Sequence, residues 1–224
     1  SSMAIRFCKL LCLLFLTILL NVNVWAHDSD FIEGNGVLKS ENRSLAPFNH
    51  MKIEGSYDVR IVHGEKQHLE ITADENILPL IKTEIQGDLL HVYSAKSFST
   101  ANAPKLVIDV IDFVGINLSG MNNVSISQID TDEFRITSDG VDTVNASGAA
   151  KTLLISTAGN ADIDAKELKA EFVEAAVGGV SNAQVYASKS LKAKVVGVGN
   201  VFCLGHPDEV KREILGIGQI SLVQ

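Results

Sequence analysis

Aspartates are the first residues in this chain whose type and spacing could do chemistry. Asp139 and Asp142 flank Gly140, Asp162 and Asp164 lie two apart, and Asp130, Asp132 and Glu133 form a cluster. An acid and a base held at fixed separation in a cleft would cleave a polysaccharide. Asp142 and Asp162 are 20 residues apart, so they could approach across adjacent coils of a chain that winds with that period. The turns that carry them hold no Arg to stabilise developing charge, and small stacked turns leave no cleft. Surface acids are the simpler reading, since Asp is usually exposed, and no catalytic residue is assigned. His63 and His68 flank a Gly-Glu-Lys-Gln turn. A metal site would need a third ligand, so neither a metal nor a cofactor is expected. The glycine-rich turns match neither a P-loop nor a dinucleotide fingerprint, because no Lys-Ser/Thr follows them and no helix opens after them.

The elements that must position these residues come from a repeat. Glycine opens a short turn at Gly120, Gly140, Gly159, Gly179, Gly197 and Gly216, with spacings of 20, 19, 20, 18 and 19 residues, and an earlier copy starts at Gly55. Six residues before the later glycines stand Val114, Phe134, Leu153, Val173, Leu191 and Val210. Four before stand Ile116, Ile136, Ile155, Ala175, Ala193 and then Arg212, which breaks the column. Four after stand Val124, Val144, Ile163, Ala183, Val201 and Ile220, and six after stand Ile126, Ala146, Ala165, Val185, Cys203 and Leu222. Residues two apart share one face of a strand. Each repeat thus supplies two short strands joined at the glycine, and like residues stack about 4.8 Å apart from coil to coil. This pattern predicts an all-β chain with a parallel β-solenoid of about 19-residue coils. The unit from Gly179 carries two extra residues before Val185, which predicts a local bulge, and the charged stretch from Asp208 to Glu213 predicts a fraying or capping coil.

A polar column stands three residues after each glycine: Asp58, Asn123, Thr143, Asp162, Asn182, Asn200 and Gln219. Stacked amides can bond from coil to coil, and the stripe could bind sugars or a metal. Turn chemistry is the simpler account of Asn and Asp there, since both satisfy turn backbones. Lys189, Lys192 and Lys194 form a basic spot near which Lys151, Lys166 and Lys169 could stack, read most simply as protection of a strand edge.

The first half reads differently. Ile81 to Ile85 and Leu89 to Tyr93 flank Gly87-Asp88, a hairpin signal. Asp74 to Leu80 is expected to form a short helix capped by Asp74 and stopped near Pro79. The expected division is therefore a β-hairpin part over 47–112 and solenoid repeats over 113–224. Before them, residues 27–46 are polar, with Gly34-Asn35-Gly36 in the middle, and read as a flexible leader. Arg6 and Lys9, the apolar run from Leu10 to Leu20, and Val24-Trp25-Ala26 predict a signal peptide over 1–26. The run is too short to span a bilayer, so no transmembrane segment is expected in the mature chain. Cleavage would leave Cys203 alone and move the net charge from −8 to −10. An acidic chain repels phosphate backbones, so nucleic acid is not an expected partner.

Three stretches carry a family resemblance. They are Phe48-Asn49-His50-Met51-Lys52-Ile53-Glu54-Gly55-Ser56-Tyr57-Asp58-Val59, Ala73 to Pro79 leading into Ile81-Lys82-Thr83-Glu84, and the glycine unit followed by Tyr186 to Ala193. In order and spacing, over about residues 46 to 224, the chain resembles the bacterial family of putative auto-transporter adhesin, head GIN domains. The resemblance implies a secreted or envelope β-helix, right-handed by analogy, with no established activity. The expected function is a non-catalytic exported module for binding or structure, adhesin-like, acting through an extended solenoid face. The expected location is the periplasm, the outer membrane surface or the outside. The partner would be an envelope protein or a surface glycan. One rival is a polysaccharide-acting enzyme with paired Asp. Another is a periplasmic partner-binding protein. The apolar C-terminal strand, with Ile217, Ile220, Leu222 and Val223, predicts an open end suited to a homo-oligomer.

Overall fold

The computed structural model describes residues 31–224, so the expected signal peptide and its cleavage site lie outside the described residues. The first half holds β1 (Ile32–Glu33), β2 (Leu38–Asn42), β3 (His50–Gly55), β4 (Asp58–His63), β5 (His68–Asp74), β6 (Ile81–Gln86), β7 (Leu89–Ser94), β8 (Phe98–Ser99) and β9 (Lys105–Val110). The second half holds β10 (Gly115–Ser138), β11 (Val141–Thr157), β12 (Asn160–Val177), β13 (Val180–Val195), β14 (Val198–Leu204), β15 (Glu209–Ile214) and β16 (Ile217–Leu222). The chain is an all-β solenoid whose strands from β10 onward pair in parallel with the next coil.

The coil-to-coil register follows the apolar columns. Phe134, Leu153, Val173, Leu191 and Val210 stand opposite one another, as do Val124, Val144, Ile163, Ala183, Val201 and Ile220. A one-residue slip would turn every one of these side chains outward, so burial pins the register. Val114 is the exception. It is exposed, and Phe113 takes the inward place, packing edge-on against Phe134 at 5.0 Å between ring centroids. The unit from Gly179 has no bulge of its own, because Ala183 lies opposite both Ile163 and Val201. The register shifts fall instead between Ile126 and Ile129, Asn145 and Ser147, Ala165 and Lys169, and Ala170 and Phe172.

Those shifts mark a corner, and a third wall follows it. Ile129 to Thr131 pair with Gly148 to Ala150, which pair with Leu168 to Ala170, and Ala170 meets Ala187. Ile129, Ala150, Leu168, Ala170 and Ala187 are buried on this wall. A coil therefore has three walls rather than two short strands, and β10 runs for 24 residues around the corners. Coil lengths of 18 to 20 are absorbed here, away from the glycine turns.

The glycine turns stack because their backbones nearly touch. A Cβ on Gly120, Gly140, Gly159, Gly179, Gly197 or Gly216 would sit 1.9 to 2.4 Å from the carbonyl oxygen of the glycine one coil below. Any side chain at these positions would collide with main chain. Within this column positive φ is confined to Gly55, Gly120 and Gly179, so close approach, rather than a left-handed backbone, is the common requirement.

The stack begins before residue 113. β3 and β4, joined at Gly55, pair in parallel with β10 and form a coil. β7 pairs in parallel with β3, and β9 with β4, which adds a coil on the far side. The chain thus lays down β3–β4, then β7 and β9 beneath it, and passes to the other side to start β10. The 47–112 part is mostly solenoid, closed by antiparallel strands. The hairpin of β6 and β7 forms with Gly87 at φ 62, β5 lies antiparallel on β9, and β2 on β5. The described part of the expected flexible leader, residues 31–46, is corrected, since β1 pairs with β8 and β2 with β5. The expected helix over 74–80 shrinks to one 3-10 turn, Leu78–Leu80, with no side-chain cap. Asp74 accepts instead from the Gly36 N–H at 3.1 Å.

The last coil is thin. β15 lies on β13 and β16 on β14. Ile220 is buried at 8 %, so it is core rather than contact surface, while Ile217, Leu222 and Val223 are exposed.

Candidate functional site

Three features of the walls could act on a ligand: an outward polar column, a polar spine inside, and an outward groove.

The outward column runs Asp58, Asn123, Thr143, Asp162, Asn182, Asn200 and Gln219, each opposite the next across successive coils. These positions alternate with the buried ones on either side, so the same period that fills the core turns them to solvent. Two links bond. Asn200 Nδ2 donates to Asn182 Oδ1 at 2.9 Å, and the Gln219 N–H donates to Asn200 Oδ1 at 3.2 Å.

One residue earlier the side chains point inward, and several are polar. The Tyr57 N–H donates to Asn122 Oδ1 at 3.2 Å. The Asn122 N–H and its Nδ2 both donate to Asp142 Oδ1 at 3.0 Å, and Ser138 Oγ donates to Asp142 Oδ2 at 2.6 Å. Two coils on, Ser181 Oγ accepts from the Ala161 N–H at 3.0 Å and donates to the Gly159 carbonyl at 3.3 Å. Asn122, Asp142 and Ser181 are 3 %, 2 % and 0 % exposed. They satisfy backbone groups that the turn takes out of the ladder. Sequence reasoning missed this spine. Its signal was the recurrence of Asn, Asp and Ser two residues after the glycine.

Asp142 and Asp162 separate on this geometry. Asp142 lies inside the wall opposite Ala161, and Asp162 lies outside it opposite Thr143. Adjacent positions of a strand face opposite sides, so the two carboxylates cannot share a substrate. Asp130, Asp132 and Glu133 are exposed, with Glu133 3.5 Å from Arg135, and Asp164 bonds Lys166 at 2.9 Å.

His63 holds the coil together. Its Nδ1 accepts from the Asp130 N–H at 3.1 Å, which leaves Nε2 to donate to the Ile111 carbonyl at 2.7 Å. Both ring nitrogens are used, and His68 lies on β5 opposite Asp109 of β9. Burial pushes the Cys203 thiol above its usual range. Burial likewise pushes the Tyr57 hydroxyl up to about 12, and that oxygen has no partner among the described residues.

The lysines divide. Lys189 bonds Glu171 at 2.8 Å and holds that carboxyl below its usual range, and Lys169 sits over the Tyr186 ring at 4.1 Å. Lys192 and Lys194 point outward on the wall before the glycine turns. With Arg135, Leu154, Ser156, Glu174 and Ala176 they line a groove of about 350 Å³.

Solved structures share the architecture. The chain is similar to a putative adhesin from Bacteroides fragilis NCTC 9343 at 24% identity and TM-score 0.72, over 86% of this chain and 100% of that one. It is similar to a putative adhesin from Parabacteroides merdae ATCC 43184 at 23% and 0.54, over 87% and 100%. A third, a putative lipid binding protein from Parabacteroides distasonis ATCC 8503, aligns at 21% and 0.55, over 86% and 99%. At these identities the likeness is one of fold. No curated protein matches the chain. Residues 47–207, which run from the first coil to the start of the last, match the family of putative auto-transporter adhesin, head GIN domains, and the chain belongs to that family.

Proposed function

We propose that this chain is an exported, non-catalytic binding module of the cell envelope, adhesin-like, that works through the side of its solenoid. The observation that carries the reading is the outward column from Asp58 to Gln219, held in register along the stack by parallel pairing. A rigid wall of that kind presents a polar group at each coil and suits many weak contacts to an extended partner. The position of Asp142 inside the wall and of Asp162 outside it argues against the cross-coil acid pair that the enzymatic rival could use. Family membership and the adhesin-like neighbours agree with a surface or exported role.

Fractionation of cells combined with surface proteolysis tests the location. Digestion of the chain on intact cells is expected. Protection until the outer membrane is opened would favour the periplasmic rival, and recovery from the cytosol with residues 1–26 retained would overturn export. Cleavage of a polysaccharide that is abolished by Asp142→Ala or Asp162→Ala would overturn the non-catalytic reading.

A further inference from the structure

The groove on the wall before the glycine turns is rich in cations although the chain is acidic. Its floor is low because outward positions near the turn are small on two adjacent coils, Ser156 and Ala176, beside the half-buried Leu154. Its ends are cationic. Register places Arg135, Leu154, Glu174 and Lys192 on successive coils of one column, and Lys194 next to Ala176 in the neighbouring column. Arg135 and Lys192 are three coils apart, about 14 Å at a strand spacing of ~4.8 Å. Three cations and one carboxylate line this groove in a chain of net charge −8.

The cations are lightly held. Arg135 is 3.5 Å from Glu133 and Lys194 is 3.9 Å from Glu213, both between exposed side chains. Exposed pairs of this kind contribute little and exchange readily for a better-placed anion. An Arg presents a planar fork that takes a carboxylate through two bonds.

From this geometry, and resting on the binding reading above, we infer that the groove is a further ligand site on the side of the solenoid and that it takes an acidic linear glycan, with Arg135 and the Lys192–Lys194 pair binding carboxylates of separate sugar units. The glycan lies along the solenoid axis. Its ring faces rest on Leu154 and Ala176, and Ser156 and the lysines meet its hydroxyls. An acidic peptide fits this wall less well. Extended peptides bind β-proteins by adding main-chain bonds at a free strand edge. The backbone of this wall is already paired on both sides across the groove, so a peptide would gain only side-chain contacts. Glu174 in the middle disfavours continuous negative charge and favours anions spaced several ångströms apart.

The test is affinity electrophoresis of the full chain in gels containing polygalacturonate, dextran or poly-glutamate. The expected result is retardation by polygalacturonate that weakens as salt rises, because exposed charges are screened. Replacing Arg135, Lys192 and Lys194 together by Gln is expected to weaken it by roughly tenfold or more, equivalent to about 1.4 kcal/mol. Lys39→Gln combined with Lys105→Gln, far from the groove, is expected to leave it unchanged. These are surface positions, and an unaltered melting curve of the triple variant confirms that the fold is intact. Retardation that survives the triple replacement, or none with polygalacturonate, overturns the site. Stronger retardation by poly-glutamate than by polygalacturonate overturns the glycan in favour of an acidic polypeptide. Retardation by dextran alone overturns the acidic ligand while leaving the binding function standing.

Discussion

Asp142 and Asp162 show how much one residue of register decides. Both are aspartates near a glycine turn, yet one is sealed in hydrogen bonds and the other is in solvent. Asp142→Ala would leave the Asn122 N–H and the Ser138 hydroxyl without acceptors inside the wall. Each such loss costs about 1–3 kcal/mol, so the variant is expected to be destabilised by about 3 kcal/mol, a fall in Tm of roughly 6–12 °C. Asp162→Ala is expected to stay within about 0.5 kcal/mol, as surface changes usually do. Thermal melts of the two side by side check the assignment of faces, and equal shifts would refute it. Tyr57 gives the opposite case. Its hydroxyl is buried without a partner among the described residues, so Tyr57→Phe deletes a desolvated polar group and keeps the ring. No loss of stability is expected on chemical denaturation, and a loss beyond about 1 kcal/mol would mean that the hydroxyl is bonded.

At the scale of the element, the glycine turn carries the stack. Gly159→Ala would place a methyl 2.2 Å from the Gly140 oxygen and 2.5 Å from the Asp139 oxygen. Main chain cannot move aside without opening the ladder, so a cost of at least about 2 kcal/mol is expected, in the range of overpacking and strain. Gly64, in the turn after β4, is open: a methyl there would meet nothing within 4 Å. Gly64→Ala is expected to be neutral or stabilising by about 0.4–1 kcal/mol through the unfolded chain. Equal responses at the two sites would deny that close stacking is why glycine recurs. The hairpin of β6 and β7 and the columns from Phe134 to Val210 were legible from period-two alternation and turn residues. The third wall was not, because Ile129, Ala150 and Leu168 fall at offsets that vary with coil length and form no constant column.

Across the whole molecule the two ends differ. At one end β5 lies antiparallel on β9, β6 on β7 and β2 on β5, which closes the stack. At the other, β15 is exposed along most of its length, and Arg212 stands where the preceding coils have Ala193 and Ala175. Stability in a stacked repeat is nearly a sum of coil and interface terms, and a coil with one neighbour and a poor core opens first. Hydrogen exchange is therefore expected to be fastest in β15 and β16, slower in the cap, and slowest in β10 to β13. Exchange that is uniform from β10 to β16 would show that the solenoid opens as one unit.

The sequence alone determined the class of fold, because a period near 19 with alternating aliphatics has few other ways to bury its apolar side chains. On the two walls beside the glycine turns it also determined which residues meet from coil to coil, since each column there is a distance along the chain rather than a fold in space. Only the tertiary structure decided where the chain departs from its own order. That β7 and β9 slip beneath β3 and β4, and that β2 completes the cap, depends on pairings between segments with no shared period. The groove likewise belongs to no motif. Arg135, Glu174, Lys192 and Lys194 are ordinary surface residues one by one, and parallel stacking at the strand spacing is what sets them side by side.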